Sequence, residues 1–243
     1  METSKTLAVD TLQRVLMPKK GEPHDVRMLY LIEQEHNKQR LRWSDRTSFE
    51  VPAGNEVSFE TYFNAFPASY WRRWSQLDTV VLAMEVEGRA TISVYRSKHD
   101  GTRVSVTNVE ATGHTEIPLR LSNFEDGGWL WFDVTAEDDT RIADAAWCSP
   151  QEPKEQVLDD GTVVPPQPKQ VAVGIPTFNR PRDAVNALHA LAEDPYVLEH
   201  ISHVLMPDQG NQHPADEADF AAAEANLGGK LTIFQQGNLG GSG

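Results

Sequence analysis

Three short segments of this 243-residue chain hold the side chains best suited to ligand chemistry. Pro176 to Pro181 carries Pro176, Thr177, Phe178 and Arg180; Pro207 to Gly210 carries Asp208 and Gln209; Gly237 to Gly243 carries Asn238, Gly240 and Gly241. Arg180 offers a planar, forked cation for phosphate oxygens. Asp208 and Gln209 supply hydrogen-bonding groups for a base or a ribose, and Asn238 among glycines lets backbone approach a ligand closely. Together these are the groups that a nucleoside diphosphate needs. Taken singly they mean less: a lone arginine is commonly a surface cation, Gln209 is ordinary turn chemistry, and Gly240-Gly241 is an ordinary loop. Their weight comes from position, because each segment follows an apolar run that reads as a strand.

The elements that must position them read as β-α-β-α-β. Val171 to Pro176 (VAVGIP) is a compact apolar run of the kind buried on both faces of a sheet. Pro181 then fits a first helical turn, with Thr177 or Asn179 as a cap, and Ala184, Leu188 and Leu191 recur at helical spacing until Asp194-Pro195 stops them. A second strand is expected at His203 to Met206, a second helix from about Ala215 to Leu227, and a third strand at Lys230 to Gln235. In an open parallel sheet, ligands sit beyond the carboxyl ends of the strands, where loops converge and helix N-termini present unpaired N–H groups. All three segments occupy that edge. Three strands and two helices leave a sheet face to be buried by something else, and a glycine-rich turn after a strand ordinarily introduces a helix. The expectation is therefore a truncated Rossmann-like α/β domain over 170–243, in preference to a natural three-strand domain covered by the other half of the chain.

The preceding half has a different texture. From Thr47 to Trp147 short runs alternate with period two: Val80 to Val86, Ala90 to Tyr95, Arg103 to Val109, Ile117 to Leu121 and Trp129 to Val134, parted by turn signals such as Glu87-Gly88 and His99-Asp100-Gly101. This predicts an antiparallel β-sandwich or jelly roll over 1–150. Thr6 to Met17 reads as a first strand or helix docked on its core. The stretch 151–169, rich in proline, glutamine and charge, reads as a linker or surface excursion stiffened by its prolines, with room for a short hairpin at Asp159-Asp160-Gly161. The aromatics Tyr62, Phe63, Phe66, Tyr70, Trp71 and Trp74 fit core or interface better than sugar stacking. Trp129 and Trp131 alternate with Leu130 and Phe132, so the two pairs face opposite ways.

Composition narrows the partners. With 22 Lys and Arg against 36 Asp and Glu, the net charge of -14 repels polyanions, and no basic patch overrides it. Nucleic acid is not an expected partner. The single Cys148 excludes an internal disulfide framework and suits a reducing compartment. No apolar run approaches the roughly 20 residues that span a bilayer, and no secretory signal opens the chain, so a soluble protein that stays inside the cell is expected. The eight histidines form no metal signature, and Ser242 lies in no nucleophile elbow.

Val173 to Pro181 (VGIPTFNRP), Pro207 to Gly210 (PDQG) and Asn238 to Gly243 (NLGGSG) resemble the nucleotide-binding loops of family 2 glycosyltransferases with a GT-A fold. Thr61 to Trp74 (TYFNAFPASYWRRW) and Phe124 to Asp133 (FEDGGWLWFD) resemble the N-terminal β domain of the actinobacterial galactofuranosyltransferases that polymerise cell-wall galactan. The resemblance runs from about Leu12 to the last residue. It implies that Arg180 contacts the donor UDP-galactofuranose, that Gln209 helps hold the uridine, and that Asn238 lines the same pocket. It further implies a divalent cation, Mn or Mg, whose ligands lie outside this chain, as do the catalytic aspartate and a metal-binding histidine. Asp138-Asp139 and Asp159-Asp160 do not substitute, since they lie upstream of the first α/β strand. The expected partners are a lipid-linked galactan acceptor and further copies of the chain, with peripheral attachment at the cytoplasmic face of the membrane. By itself the chain is expected to be inactive, because an inverting transfer needs a base and a cation. A competing reading makes the β half a carbohydrate-binding or oligomerisation module without catalysis. A nicotinamide-dependent reductase fails, because its glycine fingerprint belongs after the first strand, where Pro176 to Arg180 stand instead.

Overall fold

The computed structural model describes residues 10–124, 127–150, 156–157, 160–164 and 170–238. The chain divides into two compact units, Met1–Pro153 and Lys154–Gly243.

The first unit runs β1 (Asp10–Arg14), α1 (His24–Arg27), β2 (Ile32–Glu33), β3 (Ser48–Val51), β4 (Glu56–Ser58), α2 (Ala68–Trp74), β5 (Thr79–Ser97), β6 (Arg103–Arg120), β7 (Leu130–Ala136) and β8 (Thr140–Ser149). Its eight strands form one antiparallel sheet that curls around a core. The expected antiparallel β domain is present. The runs read as separate short strands, however, join into two long ones: β5 spans 19 residues and β6 spans 18, paired along their lengths. On its other edge β5 pairs first with β8, Val81 opposite Cys148 to Glu87 opposite Arg141, and then with β7, Ala90 opposite Ala136 to Arg96 opposite Leu130. One strand thus serves two lobes of the sheet.

The pivot is Gly88, where the sequence suggests a turn and the structure makes a bulge. Its φ is 106°, and a Cβ there would lie 2.8 Å from Asp138 Oδ1 and 2.9 Å from Thr140 Oγ1. Glycine alone fits both the backbone and the space. The neighbouring Arg89 N–H donates to Asp138 Oδ1 at 2.7 Å, and the Thr140 hydroxyl donates to the Arg89 carbonyl at 2.9 Å.

Inside the curl, alternation places Val80, Leu82, Met84 and Val86 in the core with Ile92, Val94, Phe132 and Val134. Trp147 is fully buried between Phe66 (5.5 Å) and Phe132 (6.0 Å), and its indole N–H donates to the Asn64 carbonyl at 3.0 Å. Asn64, also fully buried, accepts from Leu16 N–H and donates to the Leu16 and Tyr30 carbonyls. The aromatic segment is therefore divided: Phe66 is core and Trp71 packs against it, whereas Tyr62, Phe63, Tyr70 and Trp74 are exposed. Of the stretch expected to dock at the start of the chain, Asp10 onward forms β1 on β8, and Thr6 to Val9 lie outside the described residues. Cys148 is buried, and burial pushes its thiol up, away from the reactive thiolate.

The second unit begins with a small antiparallel pair, β9 (Gln156–Val157) and β10 (Val163–Val164). It continues through β11 (Val171–Gly174), α3 (Pro181–Glu193), α4 (Pro195–His200), β12 (Ile201–Asp208), a 3-10 turn (Pro214–Asp216), α5 (Phe220–Asn226) and β13 (Leu231–Gln235). The three parallel strands lie in the order β11-β12-β13, as at the start of a Rossmann-like α/β domain. Ala184, Val185 and Leu188 of α3, with Ala223 and Leu227, pack on Ile201, Val204 and Met206. The other face of the sheet stays open, with His203, Leu205 and Phe234 exposed. The first strand is accordingly an exposed edge, Val171 being 58% accessible, and is not buried on both faces as its composition suggests.

Two helix boundaries also differ from expectation. Asp194-Pro195 ends α3 but starts α4: the Asp194 carboxylate accepts from Tyr196 N–H (3.0 Å) and Val197 N–H (3.4 Å), and Pro195 takes the first helical position. The helix expected over 215–227 is interrupted, with a 3-10 turn at Pro214–Asp216 separated from α5 by residues 217–219.

Candidate functional site

The backbone ladder of the parallel sheet continues past the strand ends and ties the first two loops, and the entry to the third at Gln236, to one edge. Ile175 N–H donates to the Leu205 carbonyl at 2.9 Å, Thr177 N–H to Pro207 at 3.0 Å, and Gln209 N–H to Thr177 at 2.9 Å. Gln236 N–H then donates to the Asp208 carbonyl at 3.0 Å. Thr177 and Asp208 form a parallel bridge beyond the last regular residues of β11. Each loop is thus registered to its neighbour by main-chain bonds before any side chain is considered.

Arg180, Gln209 and Asn238 all follow carboxyl ends of these strands. Arg180 is the residue immediately before α3 and is exposed, with an ion pair to Asp183 at 3.5 Å that leaves most of its guanidinium in solvent. Gln209 is the first residue after β12 and is half-buried; Asn238 lies three residues beyond β13 and is exposed. Pro176 and Phe178 are exposed on the first loop. Thr177 is buried, and among the described residues its hydroxyl has no hydrogen-bond partner. A buried hydroxyl without a partner is uncommon. Gly240 and Gly241 lie outside the described residues.

Asp208 is a structural anchor. It is 2% exposed, its Oδ1 accepts from Gly210 N–H at 3.1 Å, and its Oδ2 lies 2.6 Å from His213 Nδ1. Gln235 Nε2 stands 3.4 Å from the same imidazole nitrogen, so the carboxylate–imidazole pair sits beside the end of β13. The hydrogen-bonding side chain that Asp208 was expected to offer a base or ribose is therefore turned inward, and Gln209 is the better-exposed group.

His213 and Gln235 carry no signal in the sequence and Asn179 reads there only as a candidate helix cap, yet each shapes this edge. Asn179 takes a left-handed conformation, φ 51°, and its side-chain oxygen accepts from Asn211 N–H at 2.8 Å and Gln212 N–H at 3.1 Å. It clamps the first loop to the second, and neither it nor Thr177 caps α3. A Cβ on Gly210 would fall 2.5 Å from Asn179 Oδ1 and 2.6 Å from Asn179 N, so this glycine permits the clamp. The pairing of Asn with a Gly some 30 residues away carries no local signal, because the contact exists only once the strands are in register.

A divalent cation does not fit the residues present. Among the described residues no group of three or more His, Cys, Asp or Glu is arranged to hold a metal, and both oxygens of Asp208 are already engaged.

Residues 12–150 match the family model described as galactofuranosyltransferase 2 N-terminal. The galactofuranosyltransferase GlfT2 of Mycolicibacterium smegmatis is 49% identical over an alignment covering 100% of this chain and 37% of that protein. GlfT2 of Mycobacterium tuberculosis is 46% identical, covering 98% and 36%. The chain spans a little over a third of the length of these curated relatives. Among solved structures, a family 29 carbohydrate-binding module complexed with mannohexaose covers 56% of this chain and 91% of its own, at 12% identity and a TM-score of 0.33, a likeness too slight to carry an argument. With more than half its length matched by the family model and nearly all of it aligned to relatives 46–49% identical, the chain belongs to the GlfT2 galactofuranosyltransferase family.

Proposed function

We propose that this chain is the N-terminal part of a galactofuranosyltransferase that draws on UDP-galactofuranose to elongate cell-wall galactan, and that its α/β unit holds part of the donor. The observation that carries this reading is the ladder joining Ile175, Thr177, Gln209 and Gln236, which fixes two loops and the entry to the third on one edge of a parallel sheet. On that edge Arg180 meets the diphosphate with charge-assisted hydrogen bonds, next to the unpaired N–H groups that open the 13-residue α3. Gln209 pairs with the polar rim of the uracil, Asn238 closes the far side, and the Thr177 hydroxyl gains a partner when the donor seats.

Transfer with inversion also needs a base on the acceptor hydroxyl and compensation of charge on the leaving diphosphate. In this proposal those groups, including the ligands of a Mn or Mg ion, come from elsewhere in the longer enzyme, and this chain binds donor without transferring it. The acceptor is a lipid-linked galactan, met at the cytoplasmic face of the membrane by a peripheral homo-oligomer; this part rests on family membership. Among the described residues no helix is long and apolar enough to cross a membrane.

Calorimetric titration of the chain with UDP-galactofuranose tests the donor site. Arg180→Ala, Gln209→Ala and Asn238→Ala should each weaken binding by about tenfold or more, as loss of a hydrogen bond to a charged or buried partner does. Absence of binding, or equal binding by all three variants, overturns the site. Metal-dependent transfer of galactofuranose by the chain alone overturns the division of labour.

A further inference from the structure

The face of the β-unit sheet turned away from the core carries an unusual cluster. Along β7, Leu130, Phe132 and Val134 enter the core, so Trp131 and Asp133 stand on the opposite face. They are nonetheless buried, each only 2% exposed. On β5, Tyr95 lies opposite Trp131 and Ser93 opposite Asp133, and the rings of Tyr95 and Trp131 stack with centroids 6.1 Å apart. Arg103, which opens β6, lays its guanidinium 3.6 Å from the centre of the Tyr95 ring. The same guanidinium pairs with Asp133 Oδ2 and approaches Glu60 at 3.5 Å.

Two atoms are out of keeping with a finished structure. Among the described residues, Trp131 Nε1 and Asp133 Oδ1 are both buried and have no hydrogen-bond partner. One is a donor and the other an acceptor, and leaving either unmet is destabilising. They are paired with aromatic rings and roofed by a long side chain that remains 42% exposed. A sugar supplies the matching chemistry: a hydroxyl accepts from the indole N–H and donates to the carboxylate, while the apolar C–H face of the ring lies on an aromatic surface. The two carboxylates, Asp133 and Glu60, outnumber the one guanidinium among them, so a phosphate or carboxylate ligand is disfavoured and a neutral polyol is favoured.

We propose that Tyr95, Trp131, Asp133 and Arg103 form a binding subsite for a neutral sugar on the outer face of the β unit. Arg103 acts as its cover: the arginine side chain lifts from the Tyr95 ring, opening an aromatic platform and the two unmet atoms, while Trp131 and Asp133 stay fixed in the strand. Trp129, two residues before Trp131 and 41% exposed, offers a further ring for an adjoining sugar unit. The choice of galactofuranose as the sugar rests on the proposed function; the existence of the subsite does not.

The test is a titration of the whole 243-residue chain with a β-galactofuranosyl hexasaccharide and, in parallel, with cellohexaose, followed by calorimetry and tryptophan fluorescence. Saturable binding of either saccharide is expected, weakened by about tenfold in Trp131→Phe, which deletes the N–H and keeps a ring. That substitution removes an unmet donor but also trims a buried ring, so thermal unfolding is followed in the same variant: binding lost while the cooperative folding transition is kept separates lost binding from lost folding. Tyr95→Leu, which removes the platform, should weaken binding as well. Failure of both saccharides to bind, or undiminished binding by both variants, overturns the subsite. Binding of cellohexaose alone upholds it and detaches it from galactan. UDP-galactofuranose titrated into the same samples reads the donor edge separately: Trp131→Phe should leave that affinity unchanged, and Arg180→Ala should lower it.

Discussion

The β unit and the α/β unit hold their shapes by different means. In the first, a curled sheet closes on a core in which Trp147, Phe49, Phe59, Phe66 and Phe132 are all essentially inaccessible, and a buried asparagine, Asn64, ties the chain's beginning to that core. In the second, helices cover one side of a three-stranded sheet and the other side stays open at Leu205 and Phe234. There, order at the functional edge comes less from burial than from main-chain bonds carried past the strand ends. Side-chain packing fixes the scaffold of the first unit, whereas hydrogen-bond register fixes the loops of the second.

The contrast is most easily broken at Trp147. Trp147→Ala should cost about 3–5 kcal/mol through lost burial and the cavity left behind. All six tryptophans lie at or before position 147, so urea unfolding followed by the fluorescence of the remaining five measures this unit; a loss below about 1 kcal/mol would contradict the packing argument. The equivalent truncation in the second unit, Leu188→Ala, should cost less, about 2–4 kcal/mol, because the cluster around it is smaller and has neighbours free to relax. Helical circular dichroism during denaturation reads that effect. A cost exceeding that of Trp147→Ala would reverse the comparison.

Gly210→Ala sharpens the distinction between register and packing. The added methyl collides with Asn179, so the clamp between the first two loops must open. Donor affinity should fall about tenfold, roughly 1.4 kcal/mol, while unfolding midpoints move little. The smallest expected effect is a pH dependence in the β unit. His114 lies 2.6 Å from Glu85 and 3.3 Å from Glu116, and these hydrogen bonds hold its pKa above the usual 6.5. A raised folded value means that the contribution is complete below the unfolded pKa and disappears as pH rises through the folded one. With half the side chain in solvent, it amounts to less than about 0.5 kcal/mol. The drop in stability on going from pH 6 to mildly alkaline pH should shrink in His114→Gln, and an unchanged drop would remove His114 as its source.

Much of this was legible from residue types, and the misreadings share a cause. Alternation located the strands of the β unit because one face is buried against a core. It could not distinguish a turn from a bulge at Glu87-Gly88, since that choice depends on Asp138 and Thr140, some 50 residues away. The apolar run at Val171 looked doubly buried because composition reports what a residue tolerates, not what covers it. Asp194-Pro195 reads as a stop, although the same pair is also a good start, and only the hydrogen bonds from Tyr196 and Val197 decide the matter. At the functional edge, the residues with conspicuous chemistry are visible, but the arrangement that others impose on them is not, Asn179 reading only as a helix-cap candidate. Asn179, His213 and Gln235 act through contacts 5 to about 30 residues distant, set by the order β11-β12-β13.

The hinge-like bulge at Gly88 has a consequence for how this architecture can vary. The returning chain is interrupted at residues 137–139, between its pairing with one half of β5 and its pairing with the other. Adding or removing a residue there alters the tilt of one lobe against its sibling and leaves both ladders intact. The same insertion within β5 would send every later side chain to the wrong surface. Length variation at that single locus is therefore a route by which a designer can re-angle the two lobes of the sheet without rebuilding its interior.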